Sequence, residues 1–315
     1  MTPGGEAIAG AAREARPLRD ERDWWRVRSL LIETHAKVSP GWNWDIRRWD
    51  GWRFHAEEPP GHPELGRVVG LWETLDGRLL GALHPESPGE AFLELDPDHR
   101  HLEPAMVSWA EQHLAVPAGA GGIRSLAFLV DDADEFRRRL LTERGYAPED
   151  EGGWHRWPRT DDRPPQEPPA LVEPYRMRAT EGTDEDCARM AALLNAAFGR
   201  TIHTAREYRT FMDRSPSFAH ELNLVAVAAD RSFAAHAGLT YDPDDRHGVL
   251  EPVCTHPDHR RAGLARGLIL EGLRRLAARG GRTASVDSGE DEAANALYAG
   301  CGFTETYHVR PWRSG

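Results

Sequence analysis

The sequence of 315 residues predicts an α+β protein made of two tandem copies of one fold, each a mixed, mostly antiparallel sheet flanked by helices. Two similar blocks lead to this prediction: Asp96–Arg100 reads DPDHR and His256–Arg260 reads HPDHR. Each block follows an apolar, strand-like run and precedes a helical pattern. Each copy then ends with a glycine and an aromatic residue, Gly145–Tyr146 and Gly302–Phe303. Landmarks that recur in the same order favour duplication over chance.

A proline-rich stretch marks the boundary between the two copies. Residues 159–173 combine prolines with charged side chains, a composition typical of stiff, extended linkers. We therefore expect a first domain over residues 17–158 and a second over residues 174–315. Residues 1–16 lack the apolar segment of a signal peptide, and we expect a disordered leader there.

Hydrophobic periodicity predicts the elements around each block. In the first copy it predicts a strand at Ala91–Leu95 and a helix at Ala105–Leu114. The helices predicted in the second copy are Glu185–Phe198, Leu264–Ala278 and Asp291–Ala299. The strands predicted there are Leu222–Ala229, Phe233–Tyr241, Gly248–Cys254, Thr283–Asp287 and Thr304–Arg310.

Composition disfavours several classes of function. The formal net charge of −12 argues against nucleic-acid binding, and no apolar run approaches the roughly 20 residues that cross a membrane. The three cysteines are widely spaced and do not cluster with histidine, so neither a disulfide nor a metal site is expected. These features favour a cytoplasmic protein, a monomer or a homodimer, whose acidic surface suits a cationic small molecule.

The segment Val253–Arg266 is predicted to run from a strand through a tight loop into a helix. Backbone N–H groups at the start of a helix are unpaired and carry partial positive charge, which suits a pyrophosphate. The small residues Gly263 and Ala265 let a phosphate approach the backbone closely. Formal positive charge comes from the arginines of this segment, Arg260, Arg261 and Arg266.

The loop Arg260–Ala265, RRAGLA, resembles the Arg/Gln-x-x-Gly-x-Gly/Ala motif of the GNAT N-acetyltransferase family. A second pattern of that family is matched by Ala294, Leu297–Tyr298 and Gly302–Phe303. The resemblance covers nearly all of residues 174–315. It implies a mixed sheet that opens at the strand before the loop, with the pantetheine arm of acetyl-CoA in the opening and its pyrophosphate on the loop.

The resemblance also implies a set of cofactor-binding residues and no metal. They are Val253, Cys254, Thr255, Arg260, Arg261, Ala262, Gly263, Leu264, Ala265, Arg266 and Asn295. One position departs from the family pattern, because its asparagine falls on Asp291 here. Asn295, one helical turn later, is the candidate for the missing contact to pantetheine; the alternative is that the contact is absent.

Catalytic roles follow from the same resemblance. Tyr298 matches the family's general acid, which protonates the departing CoA thiolate; packing of its ring in the core is the alternative. The oxyanion is expected to meet the backbone N–H of Val253 or Cys254. Glu251 is the candidate general base, because strand alternation places it on the same face as Val253. A solvated carboxylate at a strand edge is the alternative interpretation.

Three other side chains offer alternative mechanisms. His247 and His256 are candidates for a proton relay, although histidines in turns are usually just exposed. Cys254 suggests an acyl-cysteine intermediate, but the sequence offers no activating His–Asp arrangement beside it. Direct transfer from the thioester to an amine is therefore expected.

The first copy is predicted to be a degenerate GNAT-like domain. Glu103 stands where the second copy has Gly263 and adds negative charge at the phosphate site, while Pro104 removes a backbone N–H donor. Ten of the eleven tryptophans lie in this half of the chain, including Trp42, Trp44, Trp49 and Trp52. They form either an aromatic wall at a substrate site or an ordinary core.

Taken together, these features predict an enzyme that transfers an acetyl group from acetyl-CoA directly to the amine of a small molecule. Two alternatives remain: acetylation of a protein or peptide amine, and a non-catalytic scaffold that binds acyl-CoA.

Overall fold

The computed structural model describes residues 14–35, 37, 42–117, 124–160, 167, 169–304 and 306–314. Most of the predicted leader and the central part of the predicted linker lie outside the described residues. Arg16, the last residue of that leader, belongs to a short strand. None of the described helices is both long and apolar enough to cross a membrane.

Helices and strands alternate in a mixed order that confirms the predicted α+β class. The helices are α1 (Glu21–His35), α2 (Ile46–Phe54), α3 (His62–Val68), α4 (Glu103–His113), α5 (Glu135–Glu143), α6 (Asp184–Phe198), α7 (Ala205–Arg214), α8 (Leu264–Ala278) and α9 (Glu292–Gly300). The strands are β1 (Arg16–Pro17), β2 (Gly70–Glu73), β3 (Leu79–His84), β4 (Glu90–Leu95), β5 (Val116–Pro117), β6 (Arg124–Ser125), β7 (Ala127–Asp131), β8 (Tyr146–Pro148), β9 (Trp154–Thr160), β10 (Arg176–Ala179), β11 (Asn223–Val227), β12 (Phe233–Asp242), β13 (His247–Thr255), β14 (Thr283–Ser288) and β15 (Tyr307–Ser314).

The described residues form two compact units. The N-terminal unit contains the described parts of Met1–Trp44, Pro60–Gly153 and Val309–Gly315. Its sheet has the order β1-β2-β3-β4-β7-β15, with β8 also paired to β15. The β4–β7 pair is parallel and its other pairs are antiparallel.

Tryptophans fill much of the interior in the first half of the chain. Trp24 and Trp72 are buried in the N-terminal unit, and Trp44 packs edge-on against Phe92, with ring centroids 4.8 Å apart. Trp49 is fully buried as well, in the other unit. Burial of this kind is typical of a core and does not favour an exposed aromatic wall.

The C-terminal unit contains Asp45–Pro59 and the described parts of Trp154–His308. Its sheet has the order β9-β14-β13-β12-β11-β10. Helix α8 packs on one face through Leu268, Leu273 and other leucines, while α6 and α7 pack on the opposite face. Helix α2 joins this second layer by packing against α7.

Strands β13 and β14 are parallel neighbours for only part of their length. Their paired residues are His247 with Thr283, Gly248 with Ala284 and Val249 with Ser285. Side chains reinforce this short pairing, because His247 Nδ1 lies 2.8 Å from Thr283 Oγ1 and Nε2 lies 2.8 Å from Ser285 Oγ. Beyond Val249 no pairing is present between the described residues of the two strands, and the sheet opens there.

The compact units differ from the contiguous ranges predicted as domains. Strand β9 of the first copy pairs with β14 in the C-terminal unit, and β15 of the second copy pairs with β7 in the N-terminal unit. Residues 45–59 likewise belong to the C-terminal unit. Arg159 and Thr160, predicted as linker, are the end of β9. Each copy thus gives its last strand to the other sheet, and local periodicity does not encode such an exchange.

Replacing Trp312 by alanine tests the placement of β15 in the N-terminal unit. Trp312 is 6% exposed and packs in the core of that unit, so we expect the free energy of unfolding to fall by about 3–5 kcal/mol. Guanidinium unfolding followed by circular dichroism measures this loss. Trp25→Ala is the matched control, because Trp25 is 43% exposed. Equal unfolding midpoints for the two variants would contradict the placement.

Candidate active site

The loop between β13 and α8 gathers backbone N–H groups at a helix N-terminus. A single 3-10 turn, Pro257–His259, follows β13. Arg261 and Gly263 then adopt positive φ angles of 66° and 71°, and α8 begins at Leu264. Left-handed residues in such a loop turn successive N–H groups toward one side, which creates a concave site for an anion.

Three guanidinium groups surround this loop without a carboxylate partner in the described part of the chain. Among the described ion pairs none involves Arg260, Arg261 or Arg266. Arg260 makes one hydrogen bond, from Nη2 to the carbonyl of Ala197 at 3.3 Å. Many other arginines of this acidic chain pair with carboxylates, as Arg156 and Arg178 do, so these three leave a local excess of positive charge.

A cavity of about 450 Å³ lies beside the loop at the opening between β13 and β14. The lining residues predicted from sequence are Val253, Cys254, Thr255, Arg260, Arg261, Gly263, Leu264, Ala265, Arg266 and Tyr298. The lining residues not predicted as site residues are Ala197, Phe198, His259, Asp291, Ala293, Ala294 and Leu297. Ala262 is not part of the lining and packs against the core under α8. The structure therefore brings most of the predicted cofactor residues together.

Asp291 and Asn295 occupy different environments. Asp291 lines the cavity and caps α9, because its Oδ1 accepts hydrogen bonds from the N–H groups of Ala293 and Ala294 at 2.8 and 3.1 Å. Asn295 is not among the lining residues. Its amide oxygen accepts a hydrogen bond from Ser288 Oγ at 2.5 Å, which ties α9 to the end of β14. Its side chain is thus engaged in supporting the helix.

Tyr298 lies on α9 with its ring packed near Phe303 and its side chain lining the cavity. Burial raises the pKa of the phenol, and the nearby Asp291 and Cys254 raise it further. No hydrogen bond within the described part of the chain engages its hydroxyl. A phenol in this setting remains protonated at neutral pH and is able to donate a proton into the cavity.

The edge of β13 that faces the opening carries backbone donors. The N–H of His256 bonds to Ala234 on β12 at 2.8 Å, so the N–H of Cys254, two residues earlier, faces β12 as well. The N–H groups of Val253 and Thr255 then point away from β12, toward the opening. Of the two oxyanion donors predicted from sequence, Val253 has the required direction.

Glu251 does not share a face of the sheet with Val253, contrary to the prediction from strand alternation. The register between β12 and β13 shifts at this point: Leu250 pairs with Leu239 and Val253 with Ala237, so two residues face Gly238 alone. Leu250 and Val253 both pack with the core under α8. The bulge therefore turns Glu251 toward the opposite face of the sheet, away from Val253.

The surroundings of Glu251 raise the pKa of its carboxyl group. Its side chain is reached by solvent, yet surrounding protein desolvates it enough to raise its pKa, and Asp45 adds to this while Arg47 opposes it. Arg47 Nε donates to the backbone oxygen of Glu251 at 3.4 Å. No ion pair or hydrogen bond within the described residues holds the carboxylate itself. Arg47 belongs to α2. No local signal in the sequence indicated that this helix is part of the C-terminal unit.

The sequence around this site matches a known protein family. The acetyltransferase (GNAT) family matches residues 188–303. The chain carries a GNAT N-acetyltransferase domain. Comparison with curated protein sequences finds no match.

Solved structures extend the likeness to nearly the whole chain. A GCN5-related N-acetyltransferase from Sphaerobacter thermophilus is 20% identical with a TM-score of 0.62, over 98% of this chain and 96% of that one. A tandem GNAT protein from the clavulanic acid biosynthesis pathway is 19% identical with a TM-score of 0.64, over 96% and 98%. Saccharomyces cerevisiae N-myristoyltransferase is 12% identical with a TM-score of 0.57, over 100% and 82%. At these identities the likeness establishes the fold, and the predicted tandem GNAT architecture is confirmed.

Within the GNAT domain, the two candidate relay histidines have structural partners. His247 joins β13 to β14, and the Nδ1 of His256 accepts a hydrogen bond from the N–H of Asp258 at 3.2 Å. Cys254 is buried, and desolvation raises the pKa of its thiol to about 12. A neutral thiol is a poor nucleophile, so this environment favours direct transfer over an acyl-cysteine.

The corresponding loop of the N-terminal unit is filled by its own side chains. Glu103 is fully buried, and its carboxylate accepts hydrogen bonds from Arg100 Nε at 2.6 Å and Arg137 Nε at 3.0 Å. Arg100 also forms a bidentate pair with Asp134, at 2.6 and 2.8 Å. Arg100 aligns with Arg260 of the GNAT domain. Here an internal carboxylate pairs with Arg100, whose counterpart Arg260 has no carboxylate partner among the described residues of the second copy.

Proposed function

We propose that the GNAT domain transfers an acetyl group from acetyl-CoA directly to the amine of a small molecule. The supporting observation is the cavity at the opening between β13 and β14, with three unpaired guanidinium groups beside the N-terminus of α8. A pyrophosphate on the loop would satisfy both the guanidinium groups and the free N–H groups, and the thioester would reach β13. The N-terminal unit, whose equivalent loop holds Glu103, is proposed not to bind acyl-CoA.

The chemistry divides among three groups. The amine nitrogen attacks the thioester carbonyl, and the N–H of Val253 stabilises the oxyanion. The intermediate collapses with cleavage of the C–S bond, and Tyr298 gives its proton to the departing thiolate. Glu251 takes the proton that the amine loses, directly or through a water molecule. Its side chain lies on the face of the sheet opposite to the side chain of Val253.

A small amine is favoured as the acceptor over a protein. The acidic net charge of −12 would attract a cationic amine. One structural neighbour, the tandem GNAT protein, is from the clavulanic acid biosynthesis pathway. Release of CoA with small amines and not with peptides would support this choice, whereas release with peptides alone would move the proposal to protein acetylation. Cytoplasmic location and oligomeric state remain predictions from the sequence.

Gly263→Glu tests the cofactor site by copying the residue of the first copy. A side chain at this left-handed position is strained, and its charge would oppose the pyrophosphate, so we expect acetyl-CoA affinity to fall at least about tenfold. Calorimetric titration should give one site per wild-type chain. The matched control is Gly145→Glu, since Gly145 also has positive φ and open space around its Cβ position but lies in the N-terminal unit. Two sites per chain, or equal loss in both variants, would contradict the assignment.

Tyr298→Phe tests the general acid. Removing the hydroxyl should lower kcat by about 10²-fold or more, because the thiolate then leaves without a positioned proton. The Kd for acetyl-CoA should stay close to that of the wild type, since the ring still packs against the cavity. Steady-state kinetics and calorimetry measure the two quantities. Unchanged kcat would remove Tyr298 from the mechanism.

Glu251→Gln tests the general base through its pH dependence. A base must be deprotonated to act, so wild-type kcat/KM should rise with pH through the pKa of Glu251, which lies above the ordinary carboxyl range. The glutamine variant should be slower and should lose this acidic limb. A pH–rate profile of both proteins, recorded with one acceptor, makes the comparison. An acidic limb that persists unchanged in the variant would assign the base to another group.

A further inference from the structure

Three side chains that take no part in the acetyl-CoA cavity converge between α2 and α7 of the C-terminal unit. His55 follows the end of α2, His203 precedes α7, and Glu207 lies in the first turn of α7. His55 Nδ1 lies 2.7 Å from Glu207 Oε1, and His203 Nδ1 lies 3.1 Å from Glu207 Oε2. Among the described residues, these three form the only cluster of histidine, cysteine or acidic side chains with metal-ligand spacing.

Each of the three is held in place by a different neighbour. Asn195 of α6 clamps the backbone of His203, accepting from its N–H at 3.0 Å and donating to its carbonyl at 2.9 Å. His55 stacks on Phe211 with ring centroids 4.3 Å apart. Glu207 closes the capping box of α7 with Thr204. The convergence therefore does not depend on the contacts among the three side chains.

We propose that His55, His203 and Glu207 bind a divalent transition-metal ion of the Zn²⁺ class. Two imidazole nitrogens and one carboxylate oxygen are a ligand set that Zn²⁺ prefers, with a fourth position left for water or another ligand. Bonds of about 2.0–2.2 Å place neighbouring ligand atoms about 3.3 Å apart in a tetrahedral site. The ligand atoms here all lie within 4.8 Å of one another, and the two nitrogen–oxygen distances of 2.7 and 3.1 Å are close to that spacing.

The surrounding charges allow a cation at this position. Arg47, whose guanidinium lies 4.4 Å from the Phe211 ring, and the N-terminus of α7 both oppose it. The carboxylate of Glu207 is in the site itself, and Glu57 adds a second negative charge beside it by accepting a hydrogen bond from Thr204 Oγ1 at 2.6 Å. The ion would fasten α2 to α7, beside the face of the sheet that carries Glu251.

Cobalt binding tests the site in the full chain, prepared without an affinity tag and stripped with a chelator. One equivalent of Co²⁺ per chain should produce the visible absorption of a tetrahedral nitrogen–oxygen site, and Zn²⁺ should displace it. His203→Gln and His55→Gln should each weaken Co²⁺ binding at least about tenfold. Circular dichroism verifies folding, and either folded variant is sufficient for the test.

His62→Gln is the matched control, since His62 Nε2 lies 2.9 Å from Glu21 in a His–Glu pair of the N-terminal unit. It should leave Co²⁺ binding unchanged. No Co²⁺ binding at micromolar concentration would overturn the proposal. So would binding that both ligand variants retain, or binding that the control also loses.

Discussion

The separation of β13 from β14 after Val249 is the constraint on which the active site depends. Two parallel strands that stop pairing leave backbone donors at the edge of β13 and a space between the strands. The same chain then turns through the left-handed residues Arg261 and Gly263 into α8, so the helix N-terminus lies at the mouth of that space. One departure from regular pairing thereby creates both the cavity, where we propose that pantetheine binds, and the access to Val253.

The loop before the helix carries arginine side chains in both copies, but their charge is compensated differently. In the N-terminal unit Glu103 is buried between Arg100 and Arg137, so the guanidinium groups have permanent partners. In the GNAT domain glycine replaces that glutamate, and Arg260, Arg261 and Arg266 have no carboxylate partner among the residues that the structure describes. Positive charges that lie close together need negative charge nearby to compensate them. In the first copy the side chain of Glu103 supplies it. In the second copy we propose that a bound ligand supplies it. We propose that the same glutamate excludes acyl-CoA from the first copy.

The elements that could be predicted from the sequence are those that local signals encode. Apolar periodicity predicts helix α8 and the strand before it, and the small residues Gly263 and Ala265 indicate the loop motif between them. In the structure, most of the predicted cofactor residues lie around one cavity. The exchange of β9 and β15 was not predictable, because a strand's own sequence does not say which sheet edge it joins. The bulge at Glu251 reversed a face that alternation had assigned, and the helix α7 was missed altogether.

We propose that acyl-CoA occupies the cleft of the second copy and not that of the first. Hydrogen–deuterium exchange of the full chain with and without acetyl-CoA tests it most directly, because it reports both loops in one experiment. We expect slower exchange on ligand addition over Val253–Arg266, with no change over Asp96–Met106. Protection of the first loop, or of neither loop at saturating acetyl-CoA, would contradict it.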